Sequence, residues 1–568
     1  MIDQRNDDAP VGSGFLKIQR AETIGARPIN TLTEGERLMV VQSAHGKEKL
    51  DLLIEAVDGP YLLRRLPMQE VYLLVRQLGA EDTVELMELC QTEQLVGLLD
   101  LDGWQGYHLD RKKTLEWMFN LLECGEEKVL RTADEMDFEL LSLVMQKHLK
   151  VIRGPEAIDD EDERAEALIK DGGYSVEFTD EPTAKIAGAW LDILFRHHQG
   201  LYLQLMEGVR WESSAVLEEN VARWRNGRLL DQGFPEPLEA RGVYSWLEPA
   251  SFNVEQHRKL NPFDVLDGVE APSYVLSRID HVHLLAEVLA RGITSEVAWE
   301  LAYLLNKVMM ADQVDIGEID QVEDCVERVY GILDIALEKL CGHNAEMAAD
   351  LFDSIWLESL FRLGHSLTLQ LQHRAHAIHA SVISAFLDPP YRSLVDALLQ
   401  RSPQFYQGLM EVNRNDTHPF MTLEQVQLCS VWLDRLERQQ RLFVGIFEFG
   451  LQHPDAYDLE GCLPEQGDDL SLSQMFLTAY ANRLLGKPFA PEPLRQDAIR
   501  QLHRLVTVDG GGLKAEIRQE CVAWLESLET GAGEFGAWCL ASWDDEFCRL
   551  AAEELDPRFI NGMMVRLD

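Results

Sequence analysis

The sequence predicts a mainly all-α chain: stacked helical repeats forming a HEAT- or armadillo-like superhelix, a larger C-terminal helical domain, and at most a short β element. Three observations predict it. Val71, Leu74, Val75 and Leu78 fall at i, i+3, i+4, i+7, the apolar stripe of a helix, and Gly79 closes the pattern. Leu115, Met118, Phe119 and Leu122 repeat the stripe, Gly125 closes it, and further helical stretches follow at Thr92–Leu99 and Phe138–Met145. The two blocks overlie at a shift of about 46 residues, within the range of superhelical repeats. Third, strand-like alternation is confined to Tyr174, Val176 and Phe178.

In chain order, residues 1–28 read as a flexible tail carrying Pro10, Gly12, Gly14 and Pro28. Residues 29–152 form the helical-repeat domain. It opens at Thr33, which makes a capping box with Glu36, and Gly46 divides a degenerate first repeat. Residues 153–182 are an acidic linker; Asp159 to Glu163 is a solvated charge run, with the short strand behind it. Residues 183–275 are helical to Gly227 and then loop-rich, broken by Pro235, Pro237, Pro249, Pro262 and Pro272. Residues 276–568 form the C-terminal helical domain. A long helix is expected there from about Ser354 to Phe386, ended by Pro389 and Pro390. A loop follows between His453 and Asp469, and Gly510, Gly511 and Gly512 separate two late helices. One internal match stands out. Asp192, Leu194, Tyr202, Leu205, Met206, Glu207 and Arg210 recur without a gap at Asp396, Leu398, Tyr406, Leu409, Met410, Glu411 and Arg414. It reads either as a duplicated helical unit or as coincidence among Leu- and Glu-rich helices.

Composition bounds the function. With 97 acids against 52 bases, the net charge is −45 over 568 residues. Such a surface repels nucleic acid and anionic lipid and suits a soluble protein. The nine cysteines form no C-x-x-C pair, which points to reduced thiols in the cytoplasm. The N-terminal stretch lacks the apolar core of a signal peptide, and no apolar run is long enough for membrane insertion.

Pro67 to Trp104, with Leu98, Leu99, Asp100, Leu101, Asp102 and Trp104, resembles an uncharacterised bacterial family known only as a domain of unknown function. So do Arg223 to Pro235, reading R-W-R-N-G-R-L-L-D-Q-G-F-P, and Leu360 to Leu371. The resemblance covers most of the chain and implies no activity. The 66–100 block is also similar, locally, to the helical-repeat domain of MgtE-type magnesium transporters and to flagellar switch-protein repeats.

No catalytic motif emerges, and no cofactor or metal is expected. Asp509 to Lys514 lacks the order of a phosphate loop, and H-E-x-x-H and G-x-S-x-G are absent. Asp312, Gly317, Ile319 and Glu323 match an EF-hand loop, but Val314 and Ile316 remove two oxygen ligands, so a helix connection is the expected reading. His365, His373, His376 and His379 share one predicted helix, with His281 and His283 on another, and no local residue completes a metal site. The candidate ligand-binding residues are Arg223, Trp224, Arg225, Arg228 and Trp246, with Trp211 and Tyr244 nearby and a turn at Asn226–Gly227. Arginine forks and aromatic faces suit carboxylate, phosphate or an acidic tail; they serve equally to pair acids inside the protein. The expected function is a protein–protein interaction scaffold with another protein as partner. The alternative is an enzyme or small-anion sensor with its site around Arg223–Trp246.

Overall fold

The structure, a computed structural model, describes residues 27–157, 173–261 and 283–567, apart from 412, 509, 552–554 and 561. Helix dominates. Thr33 caps α1 (Glu34–Ser43) as expected: its hydroxyl oxygen accepts from the Glu36 backbone N–H, and the Glu36 carboxylate accepts from the Thr33 N–H at 2.9 Å. Then come α2 (Gly46–Glu55), α3 (Gly59–Arg65), α4 (Met68–Gln77), α5 (Ala80–Leu89) and α6 (Thr92–Asp102). Both ends of α4 and α5 lie 34 residues after those of α1 and α2. The set α7 (Arg111–Glu123), α8 (Glu126–Glu135) and α9 (Phe138–His148) follows, and both ends of α8 and α9 lie 46 residues after those of α5 and α6. The longer second step accommodates a hairpin of β1 (Trp104–Gln105) and β2 (His108–Leu109), turning at Gly106 with φ +62°.

The last helix of each set is the spine. In α6, Thr92 and Gln94 through Asp100 are all buried, and α9 buries Leu140 through Met145. A helix apolar on nearly every side must sit between its neighbours. Gly97 lets α4 close in: a Cβ there would lie 3.1 Å from the Met68 side chain.

The strand expected at Tyr174–Phe178 is β4 (Ser175–Phe178), antiparallel to β3 (Leu149–Arg153). It is one of four two-stranded pairings among the described residues, not the single β element expected. β5 (Gln404–Tyr406) pairs with β6 (Thr417–Pro419), and β7 (Cys462–Leu463) with β8 (Val565–Arg566). Strands of two or three residues are too short to register a period of two.

The chain divides into two units. The first holds the described residues up to 247 and 251–362; the second holds 248–250 and 363–567. In the first unit, α10 (Glu181–His197), α11 (Gln199–Trp211) and α12 (Ser214–Asp231) extend the array, followed by α13 (Pro237–Ala240), α14 (Leu284–Ala290), α15 (Ser295–Asp312), α16 (Ile319–Cys341) and α17 (Ala345–Ser354). The expected boundary at 275/276, like the acidic run Asp159–Glu163, His281 and most of the N-terminal tail, lies outside the described residues. In the second unit, rings of Phe443, Phe447, Phe476, Trp524 and Phe535 build an aromatic core; Phe447 stacks on Phe476 at 5.9 Å.

One expectation is corrected, and one open alternative is decided. The long helix is α18 (Leu357–His379); a separate 3-10 stretch covers Val382–Phe386, so the helix stops well before the prolines. The 192–210 and 396–414 match is coincidence of sequence. Tyr202 through Arg210 lie inside α11, whereas Tyr406 ends β5 and is followed by a 3-10 turn at Gln407–Leu409.

At the end of α9, His148 is fully buried, with Nε2 3.0 Å from Thr114 Oγ1 and Nδ1 unpartnered among the described residues. Burial, aided by the Arg111 charge, pulls its pKa down to about 4 from 6.5. The unfolded chain binds the proton first. The stability this imidazole carries is therefore complete above pH 6.5 and lost as pH falls towards 4, about 3 kcal/mol in all. In denaturant titrations H148Q should flatten that part of the pH–stability curve, and NMR should show the imidazole neutral at pH 5. A protonated His148 at pH 5 would refute the assignment.

Candidate functional site

The end of α6 builds the site. Asp100 is wholly buried, and Arg228 of α12 reaches it with a fork: Nε to Oδ2 at 2.7 Å and a terminal nitrogen to Oδ1 at 3.0 Å. The other terminal nitrogen of Arg228 donates to Asp137, the N-cap of α9, at 2.8 Å. Burial pushes the Asp100 carboxyl above the usual carboxylate range, and the Arg228 fork opposes that push. One turn earlier on α12, Arg225 donates from Nε to the backbone carbonyl of Asp100 at 2.7 Å. That carbonyl belongs to the last turn of α6, where oxygens lack helical partners and a cation is favoured.

Asp102 ends α6 and gathers three donors: Tyr72 Oη at 2.9 Å, Lys113 Nζ at 2.8 Å and Trp117 Nε1 at 3.2 Å. Burial, then the Asp102 charge, pushes the Tyr72 phenol above its ordinary value, so it stays protonated. The hairpin brings Trp104 beneath Arg225, whose guanidinium carbon lies 5.3 Å from the ring centroid.

These groups surround a cavity of about 560 Å³ within the first unit. Its polar wall includes Tyr72, Asp102, Tyr107, Lys113 and Arg225; its apolar wall includes Leu229, Phe234, Met309 and Ile316. Arg225 is half-buried, and burial pulls its guanidinium below the ordinary arginine value. Beyond Nε, no group among the described residues accepts a hydrogen bond from it.

A family model matches residues 26–566, described as a family of unknown function (DUF6178). The chain belongs to that family. No curated protein and no solved structure matches the chain. Membership therefore carries no activity with it, and the roles of the residues rest on their geometry.

The five candidate residues are not brought together. Arg225 lines the cavity. Arg228 turns to Asp100 and Asp137. Arg223 is exposed, 4.0 Å from Glu219 one turn away. Trp224 and Trp246 are each about two-fifths exposed, and neither lines the cavity. Nearby, Trp211 donates to Glu207, while the Tyr244 hydroxyl donates to Asp312 at 2.7 Å. Asp312 also pairs with Arg328, so the EF-like stretch is a helix connection held by an ion pair. Among the described residues, no three His, Cys, Asp or Glu side chains gather to hold a metal, and no helix is long and apolar enough to cross a membrane. What the sequence reading missed is the partner set Asp100, Asp102 and Trp104. The Leu98–Trp104 and Arg223–Pro235 stretches were each noted for the family resemblance; the fold places one against the other.

Arg228→Ala should lower stability by about 3–5 kcal/mol, because it strands a buried carboxylate. Arg223→Ala, on the surface, should change it by less than about 0.5 kcal/mol. Urea melts of the two variants test the contrast; equal effects would remove Asp100–Arg228 as the anchor.

Proposed function

We propose that this is a cytoplasmic interaction protein whose first unit grips a carboxylate of its partner in the Arg225 cavity. One observation carries the reading: a half-buried guanidinium lines a cavity with its terminal nitrogens unmatched by any acceptor among the described residues. The terminal nitrogens are open to the cavity, and a carboxylate entering it supplies two acceptors in the plane of the guanidinium. The Trp104 ring and the Asp100 carbonyl hold the guanidinium in place beforehand, so little ordering is required on binding.

The wall also carries acids, and each has a partner. Asp102 has its three donors, Asp110 accepts from Gln105 and from the Lys113 backbone, Glu236 accepts from Asn226, and Asp315 accepts from the Gly317 backbone. Their charge still opposes a dianion, which favours a carboxylate over a phosphate. The apolar wall suits an apolar body behind the carboxylate, and the volume suits one small ligand or the end of one peptide. The nine free thiols, mostly buried, support a reducing compartment. Cys90 illustrates their inertness: burial pushes its thiol up to about 12.

The test is a binding panel of peptides ending in a free carboxylate, the same peptides amidated, and small monocarboxylates with an apolar tail, read by calorimetry and tryptophan fluorescence. Arg225→Gln should weaken the carboxylate ligands by on the order of 1.5–3 kcal/mol, with the melting curve little changed. Undiminished binding by Arg225→Gln would overturn the reading.

A further inference from the structure

The second unit has a pocket of its own, about 330 Å³, walled by aromatic rings and arginines. One helix, α20 (Leu423–Arg441), supplies Trp432, Arg435 and Gln439 at i, i+3, i+7, so all three share a face, and Arg438 flanks them. Tyr391, the first residue of helix α19 (Tyr391–Leu398), stands edge-on to Trp432 at 5.2 Å and to Trp538 at 6.2 Å. Trp538 belongs to the facing helix α21 (Gly533–Ser542) and leaves 41% of its surface open. Gln439 is only 2% exposed and lines the same pocket.

Two cations face this wall. The Arg435 guanidinium lies 5.1 Å from the Trp432 ring centroid, and its Nε donates to Glu534 at 3.1 Å. Arg438 stands 3.8 Å from the same carboxylate and makes no hydrogen bond among the described residues. Its place depends on Gly531, where a Cβ would sit 3.0 Å from the guanidinium carbon and where φ is +82°. The loop is pinned from below: the Glu526 carboxylate accepts from the Gly531 N–H at 2.9 Å and from the Gly533 N–H at 3.2 Å. The charged residues lining the pocket are two arginines and Glu534, with the Glu526 carboxylate behind the loop. Neither arginine finds an acceptor for its terminal nitrogens among the described residues.

We propose that this pocket binds a small aromatic carboxylate. The ring lies against Trp432, Trp538 and Tyr391, and the carboxylate bridges Arg435 and Arg438. An aliphatic acid forgoes the contact with the indole faces. A cation meets two like charges. A phosphate dianion meets Glu534. The volume, at the low end for ligand cavities, holds one ring system.

The experiment uses the full chain with phenylacetate and indole-3-acetate as probes, cyclohexylacetate and inorganic phosphate as comparisons, and calorimetry with tryptophan fluorescence as readouts. Saturable binding of the aromatic acids is expected, roughly tenfold weaker in R438Q and in W538A, whose side chains are partly exposed. Cyclohexylacetate should bind roughly tenfold more weakly than phenylacetate. In the R225Q background, where the carboxylate grip of the first unit is removed, saturable binding should persist and should still weaken on R438Q, which separates the two pockets. No saturable binding of either aromatic acid overturns the proposal. So does equal binding by R438Q, tighter binding of phosphate or cyclohexylacetate, or loss in R225Q alone.

Discussion

A buried carboxylate governs the first unit. Asp100 sits on a helix that is closed off on almost every side, where an unpaired charge would cost several kcal/mol. Only a fork with matching geometry offsets that cost, and α12 is placed to deliver one. Once Arg228 takes both oxygens of Asp100 and reaches on to Asp137, three helices have fixed relative positions: the end of α6, the start of α9 and the last turn of α12. The pair is a weak source of net stability and a strong selector of register. Sliding α12 by one turn would leave a buried acid on one side and a buried base on the other.

The hairpin then turns a helical array into a concavity. Helices of uniform length, stacked directly, would close over the end of α6. The extra residues between α6 and α7 push outwards as β1 and β2, carrying Trp104 inwards and Tyr107 outwards. Glu218 of α12 anchors this feature from the far side: its carboxylate accepts from the Leu109 backbone N–H at 2.9 Å and from Lys147 at 2.6 Å. The cavity therefore lies where the regularity of the helices is interrupted, and the polar groups that specify it come from the interruption and its neighbours.

The helical architecture was legible because long amphipathic stretches repeat their stripe many times, as at Val71–Leu78 and Leu115–Leu122. The short strand pairs were not: Trp104–Gln105 is a two-residue strand whose only signal is the turn, and Cys462–Leu463 finds its partner far along the chain at Val565–Arg566. The end of α18 was misjudged because the prolines at 389 and 390 drew the boundary, while the chain had already left the α-helix at His379. The Tyr202–Arg210 match left two readings open because shared residues at one spacing do not fix the backbone, which is helix at Tyr202 and strand at Tyr406. In the site, the arginine-rich stretch was visible as an excess of positive charge in an acidic chain. Its division of labour was not: the acids that claim Arg228 and Arg223 lie 128 residues away in one case and one helical turn away in the other.

That division follows from helical geometry. Arg225 and Arg228 are three residues apart, so both reach the same side of α12 and meet the same helix end. Two guanidiniums so close repel, and a single carboxylate can take one fork. Arg228 takes the carboxylate; Arg225 is left with a backbone carbonyl and a ring face, contacts that hold it in position without filling its hydrogen-bonding capacity. The saturated arginine can serve structure alone. Its neighbour, fixed by the same aspartate yet short of acceptors, retains the capacity to recognise something that is not part of the chain.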